Sequence, residues 1–358
     1  MFKIYEKYLI KNFLGKFFLI SFVFLSLIII LSILEEISFF KNLETSFFFP
    51  YFLTLLGAPI TLFEIFPFIF LLSTQFLFYD LFKKDELILL KSNGLSNLKI
   101  IRILFISSML MGVLTVSLYY SLASKLKFYY TDIKNNFSND NKYLAVVTDS
   151  GLWLKDEINN NTLIVKANYI KDNFLIDVII NKFDDNFNLI DTVQANEVDI
   201  IDKDWVIKSA IITKDNITQK NENISLKTNF NQEKINSLFS NISTLNLLEL
   251  FDLKKDYEKL GYSSDEIIIH LLKLFSTPLL YGILTVLSSI IMFNFKREKS
   301  IIFHVILGIF MSVMIYYLNF IFTSLGNTGK IPIIYSIFMP LLFISLIATI
   351  GLIRVNEK

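Results

Sequence analysis

Phe17 to Leu34 reads FFLISFVFLSLIIILSIL: no charge and no proline, with polarity limited to Ser21, Ser26 and Ser32. In hydrocarbon every peptide N–H and C=O must be bonded within its own segment, so an apolar run of about 20 residues folds as a membrane-crossing helix. A soluble core helix would keep a polar face. Working outward, further runs of this kind complete a set at about 15–34, 51–79, 100–121, 267–294, 301–323 and 332–353. The chain is therefore predicted to be an α-helical membrane protein with six transmembrane helices in a 3+3 plan. Residues 1–121 carry helices one to three, 122–265 form a polar insert, and 266–358 carry helices four to six.

The net charge of +1 hides an uneven distribution. Lys3, Lys7, Lys11 and Lys16 precede or open the first helix, and Lys83, Lys84, Lys91, Lys99 and Arg102 lie between or flank helices two and three. Lys296, Arg297 and Lys299 join helices four and five, and Arg354 and Lys358 end the chain. The opposite short loops hold only Lys41 and Lys330. Lysine and arginine concentrate on the cytoplasmic side of membrane proteins, which predicts cytoplasmic termini and an external insert. The insert itself is acidic, 22 Asp/Glu against 17 Lys/Arg. Abundant Phe, Ile, Lys and Asn, with arginine only at 102, 297 and 354, reads as codon bias.

The chain has no cysteine, so no disulfide holds the insert and no thiolate metal site is possible. Glu35-Glu36 follow the first apolar run where a cleavable signal would place small residues. Within the insert, Lys142–Thr148, Gly151–Lys155, Thr162–Ile170, Phe174–Asn181, Leu189–Ile200, Trp205–Thr213 and Asn223–Phe230 are β-rich runs parted by Asn/Asp/Lys clusters. That spacing predicts an antiparallel sandwich or open barrel. Trp153 and Trp205 are expected to anchor its core, with ligand stacking as the alternative. Ser243–Leu260 reads as an amphipathic helix stopped by Gly261. Pro59, Pro67, Pro278, Pro332 and Pro340 bend or start membrane helices, either around a cavity or as packing kinks.

Catalytic signals are weak, and no catalytic or metal site is predicted. His270 and His304 lie in membrane helices, where hydrogen bonding to a neighbouring helix is the natural role. Asp184-Asp185 read as a solvated turn. Gly326-Asn-Thr-Gly-Lys330 resembles the end of a phosphate-binding loop but lacks the first Gly and has Ile331 where such loops need Ser/Thr. The second cytoplasmic loop is more specific. Tyr79–Ser96, YDLFKKDELILLKSNGLS, predicts a short amphipathic helix at about 80–93 that ends at Gly94. Leu87, Leu90 and Lys83 share a flank, while Asp85 and Glu86 sit near the favourable end of the dipole. Such a helix suits docking into a groove on another protein. The alternative is an interfacial helix on lipid headgroups, for which two adjacent acids beside an anionic leaflet are a poor choice.

Several stretches in order carry a resemblance: YEKYLIKNFL near the start, KKDELILLKSNGLS in the loop, GLWLKD opening the insert, and PLLYGILTVLSSIIMF before the basic loop. GIFMSVMIYYLNFIFTSLGNTGKIP, running on to FMP, completes the set. Together they resemble the LptF/LptG (YjgP/YjgQ) permeases of the lipopolysaccharide-export ABC transporter, over nearly the whole chain. LEEISFF and GLW tilt the resemblance toward the LptG member, with LptF as the alternative. It implies an inner-membrane protein with a periplasmic β-jellyroll-like domain, an LptF-like paralogue beside it, an LptB-type ATPase dimer beneath, and an LptC-like bitopic protein receiving lipopolysaccharide. ATP and Mg would be used by the ATPase; no cofactor is implied for this chain, and no nucleic acid. Asp85, Glu86, Leu87, Leu90 and Gly94 fall in the family's coupling helix, with Glu86 at its acidic contact position.

The resemblance also implies a greasy cavity shared with the paralogue, for which Phe66, Phe68, Tyr316 and Phe320 are the expected lining. The family often places basic residues at the outer end of helix one, whereas this chain reads LEEISFFK there. Lys41, Lys125 and Lys127 are then the candidate lipid-phosphate contacts, and Glu35, Glu36 and Glu64 a candidate set for bridging divalent cations. Two other classes compete: a membrane-anchored adaptor whose β domain binds a partner without transport, and a membrane-bound glycolipid enzyme, disfavoured by the missing catalytic set.

Overall fold

The apolar runs form long helices. The computed structural model describes residues 3–41, 46–137, 152–158, 161–171, 173–214, 217–232, 235, 241–260, 263–293 and 301–356. Helix α1 spans Ile4–Phe40, α2 Phe49–Lys83, α3 Glu86–Ser92 and α4 Asn97–Leu114. A π-helical turn, Thr115–Tyr119, joins α4 to α5, Tyr120–Asn136. After the insert come α6 (Leu247–Leu260), α7 (Asp265–Phe293), α8 (Ile301–Asn327) and α9 (Ile333–Asn356). Among the described residues six helical spans are long and apolar enough to cross a membrane, in the predicted 3+3 arrangement. Two boundaries differ from the sequence reading. α1 begins eleven residues before the apolar run, because Leu9 and Phe13 bury a stripe there. The third span passes residue 121 and continues to Asn136, because an amphipathic segment prolongs it without a break. The predicted strand Lys142–Thr148, Gly261 and the basic loop Lys296–Lys299 lie outside the described residues.

Two compact units result, residues 1–127 with 265–358, and residues 128–264. In the first, α2 and α7 are the central helices. Half of the α2 span and 61% of the α7 span are buried, against 17% for α1 and α8. Leu71, Ile101, Leu284, Leu287, Ile344 and Ala348 form the apolar centre. Polar side chains cross-link the helices, since an orphan in hydrocarbon is costly, although Gln75 Oε1 and Ser73 Oγ are buried without a hydrogen-bond partner among the described residues. Ser108 Oγ and Thr285 Oγ1 lie 2.7 Å apart, Ser288 donates to the Leu71 carbonyl at 2.8 Å, and Gln75 Nε2 donates to the His304 carbonyl at 2.9 Å. His270 meets the Tyr120 hydroxyl at 2.9 Å, the interhelical role expected of it. At the π turn, Tyr119 donates to the Pro59 carbonyl at 3.0 Å. One helical turn earlier, α4 lies so close to α7 that a Cβ on Gly112 would stand 2.6 Å from Pro278 Cα.

Among the described residues the second unit contains one antiparallel sheet: β1 Leu152–Ile158, β2 Asn161–Ala167, β3 Tyr169–Lys171, β4 Phe174–Phe183, β5 Leu189–Asp199, β6 Asp204–Lys214 and β7 Ile217–Lys227. The order is β1-β2-β4-β5-β6-β7, a meander with β3 paired to β4. Leu154, Val165, Ile180, Val198, Trp205 and Ile207 face inward. Asp177 and Ser209 take left-handed backbone and drop out of the ladder, which creases the sheet. The segment after β7 returns to β1, where buried Asp156 accepts from the Asn229 backbone and side-chain amides at 2.8 Å each. Trp205 anchors this closure by donating from Nε1 to the Phe230 carbonyl. Trp153 does not share that role. It is 45% exposed, on the outer face, with the cross-strand Lys166 ammonium 5.3 Å from its ring centre.

Asp184 organises the β4–β5 turn. Its carboxylate accepts from the side-chain amide of Asn188 at 3.1 Å and from the backbone N–H groups of Asn188 and Asn186 at 2.8 and 2.9 Å. The Asn188 side chain first, then its backbone, hold the Asp184 carboxyl below the ordinary carboxylate range. A depressed folded-state pKa means that this turn's stabilisation is full above the unfolded-state value and is lost as pH falls through the folded-state one. Carboxyl NMR should find an Asp184 midpoint lower than that of an ordinary aspartate, and Asn188→Ala should move it upward. In the membrane unit, Gly112→Ala should lower the thermal midpoint in detergent, at a cost of about 1–3 kcal/mol for forced overpacking against a backbone. Gly15→Ala, with nothing within 4 Å of the new methyl, should not.

Candidate functional site

The loop between α2 and α4 is built by two backbone reversals. α2 ends at Lys83, Asp85 takes left-handed backbone with φ 58°, and α3 then runs for two turns. Gly94, at φ 82°, ends it: the Gly94 and Leu95 N–H groups donate to the Lys91 and Leu90 carbonyls, and Ser96 then caps α4. The sequence-predicted helix of 80–93 is thus shorter, since residues 80–83 belong to α2.

Its faces also differ from the sequence reading. Leu87 is buried and Leu90 half-buried, so these two fix α3 to the bundle. Ile88 and Leu89 point outward, 63% and 60% exposed, and make the apolar part of the free surface. Periodicity over seven residues could not say which apolar pair faces in, because α2 and α3 do not share a helical register. Asp85, Lys83 and Lys84 are exposed around this patch.

Glu86 is held from within the chain: the Tyr8 hydroxyl donates to its carboxylate at 2.6 Å. About two α1 turns further, Lys16 pairs with Asp80 at 2.5 Å. The Lys91 ammonium lies 5.6 Å from the ring centre of Phe293, which also meets Phe78 edge-on. α3 is therefore fastened to α1, α2 and α7 together, and a force on Ile88 or Leu89 is delivered to all three. The Tyr8 contact is missed in the sequence because the sequence reading starts the first helix at about residue 15, whereas α1 starts at Ile4.

The candidate lipid-facing residues separate. Tyr316 and Phe320 are one turn apart on α8 and 63% and 58% exposed. Phe66 is not on an open face: it is 3% exposed, packed against Phe17, Phe63 and Tyr119. Phe68 is half-buried against Phe24. Lys41 and Lys125 are exposed and Lys127 half-buried. Glu35 and Glu64 are exposed whereas Glu36 is buried, and among the described residues no three metal-ligating side chains gather. The carboxylates at 35, 36 and 64 do not form the cation set expected of them. The Gly326–Lys330 stretch is a helix stop: Gly329 is left-handed, and the Gly329 and Lys330 N–H groups close onto the Gly326 and Leu325 carbonyls.

Comparison with known families gives a match to the model described as lipopolysaccharide export system permease LptF/LptG, over residues 7–354. That range takes in both helix sets and the whole β insert. No curated protein matches the chain significantly.

Proposed function

The chain belongs to the lipopolysaccharide export system permease LptF/LptG family, and on that premise we propose that it is the LptG-type half of an ABC transporter permease. The family match over both helix sets and the insert supports the permease reading, and LEEISFF and GLW tilt it to the LptG type. In this role the chain pairs with an LptF-like paralogue, and an LptB-type ATPase dimer docks beneath and supplies the hydrolysis of ATP with Mg. Lipopolysaccharide leaves the outer leaflet of the inner membrane through a cavity between the two permeases. The β domains then pass it to an LptC-like protein.

The geometry supports this division of labour. A docking helix needs an apolar tip on a rigid mount, and Ile88 and Leu89 stand on a helix fastened by Leu87, Tyr8 and Lys91. Apolar burial contributes about 25 cal/mol per Å², so two such side chains supply a docking contact of a few kcal/mol. Glu86 adds an acid at the rim. An amphiphile with several acyl chains needs a broad apolar wall, and α8 offers Tyr316 and Phe320 on a face that is mostly unburied. Lys41, Lys125 and Lys127 remain the candidates for its phosphates.

Ile88→Asp with Leu89→Asp should abolish copurification of the ATPase while the permease pair still assembles, and Glu86→Lys should weaken it at least tenfold. Unchanged ATPase retention in both variants removes the docking assignment. Because the chain has no native cysteine, single cysteines report topology directly. Asn186→Cys should react with a membrane-impermeant maleimide in intact cells with a permeabilised outer membrane, whereas Ser92→Cys should react only after lysis. The reverse pattern would place the β domain in the cytosol and end the transport reading.

A further inference from the structure

A cleft of about 470 Å³ opens between α4, α7 and α9, within the roughly 300–1,000 Å³ typical of ligand sites. Its walls are Ile101, Phe105, Val286 and Leu352, and Lys99 and Arg102 stand at its mouth. All three helices present the same end here: the start of α4 and the last turns of α7 and α9. The Asn97 side-chain amide donates to the Val355 carbonyl at 3.1 Å and ties α4 to α9 beside it.

Three features make the mouth an anion site. Lys99 and Arg102 are three residues apart, so they share one face of α4. Both lie in its first turns, where the helix dipole is already positive and cations are disfavoured. The first turn carries no acid, and among the described residues neither cation is paired with a carboxylate. A small water-soluble anion would not need the apolar walls that run deeper into the membrane span. A lipid with a charged headgroup uses both parts, and basic pockets between helices on the cytoplasmic side are suited to anionic headgroups.

We propose that this cleft binds an anionic glycerophospholipid of the leaflet on the base-rich side, with its phosphate between Lys99 and Arg102 and its acyl chains along Phe105, Val286 and Leu352. The site shares no residue with the α8 face proposed for the exported lipid. It rests on the membrane reading, not on which lipid is transported. Because α4 directly follows the docking helix, a bound lipid would brace the bundle beneath α3.

The test uses the assembled permease complex in nanodiscs of equal phosphatidylglycerol and phosphatidylcholine, transferred to mild detergent and weighed by native mass spectrometry. The intact protein should retain phosphatidylglycerol selectively. Lys99→Gln with Arg102→Gln should reduce that retention by about thirtyfold, as expected for losing two headgroup cations at the surface. Leu352→Trp, which fills the wall and leaves both cations in place, should also reduce it, with complex assembly as the check on folding. Equal retention of phosphatidylcholine, or undiminished retention in the double variant, overturns the proposal. So does loss with the double variant alone and none with Leu352→Trp, which would mean surface electrostatics without a cleft. A photo-crosslinker at Leu98 that captures another subunit instead of lipid would assign the cleft to a protein helix and overturn it as well.

Discussion

The absence of water in the membrane interior is the constraint on which the rest depends. It forces backbone polar groups into helices, and it also decides which polar side chains are tolerated between them. Ser108 with Thr285, Ser288 with the Leu71 carbonyl, and Gln75 with the His304 carbonyl each remove an unsatisfied group and fix a helix pair at the same time. These bonds are short-range and directional, unlike contacts between apolar side chains and lipid tails, which cost little to exchange. The interior of α2 and α7 is therefore specific, while α1 and α8 present faces suited to lipid or to another helix bundle.

That contrast organises the function. The buried pair α2 and α7 carries the mount for α3, whose exposed tip is apolar and whose base is charged. The faces of α1 and α8 are the least buried of the described membrane helices, and α9 adds an exposed row at Leu342, Leu346 and Ile350. In the proposed docking role, a push on Ile88 or Leu89 would thus reach a rigid centre before it reached the flanks. A loose α3 would dissipate it; the contacts through Tyr8, Leu87 and Lys91 oppose that.

Much of this architecture was legible from charge and hydropathy. Six spans, the polar insert and the Gly94 stop all follow from elementary rules, because bilayer thickness and backbone sterics admit few alternatives. The site was legible only in outline. Leu87 and Leu90 read as a docking flank and turn out to fasten the helix, since the break at Asp85 resets its rotation. Phe66 was placed on an open wall but packs between Phe17 and Tyr119. A helix that is apolar all round gives no periodic sign of which side meets protein and which meets lipid. Trp153 and Trp205 differ for a related reason: both are large aromatics in strands, and only pairing register shows that one faces outward.

The π turn at Thr115–Tyr119 carries one more consequence. An added residue within a regular helix offsets the azimuth of everything beyond it by about 100°, and a π turn absorbs that offset in one wide turn. Tyr119 and Tyr120 are sequential, yet one reaches α2 and the other α7. A single-codon deletion at this point would preserve the greasy rod and its length almost unchanged. By closing the wide turn it would also leave the distal segment, including the lysines at 125 and 127, on the faces it now holds, so an indel normally harmless only in loops becomes tolerable inside a membrane strut.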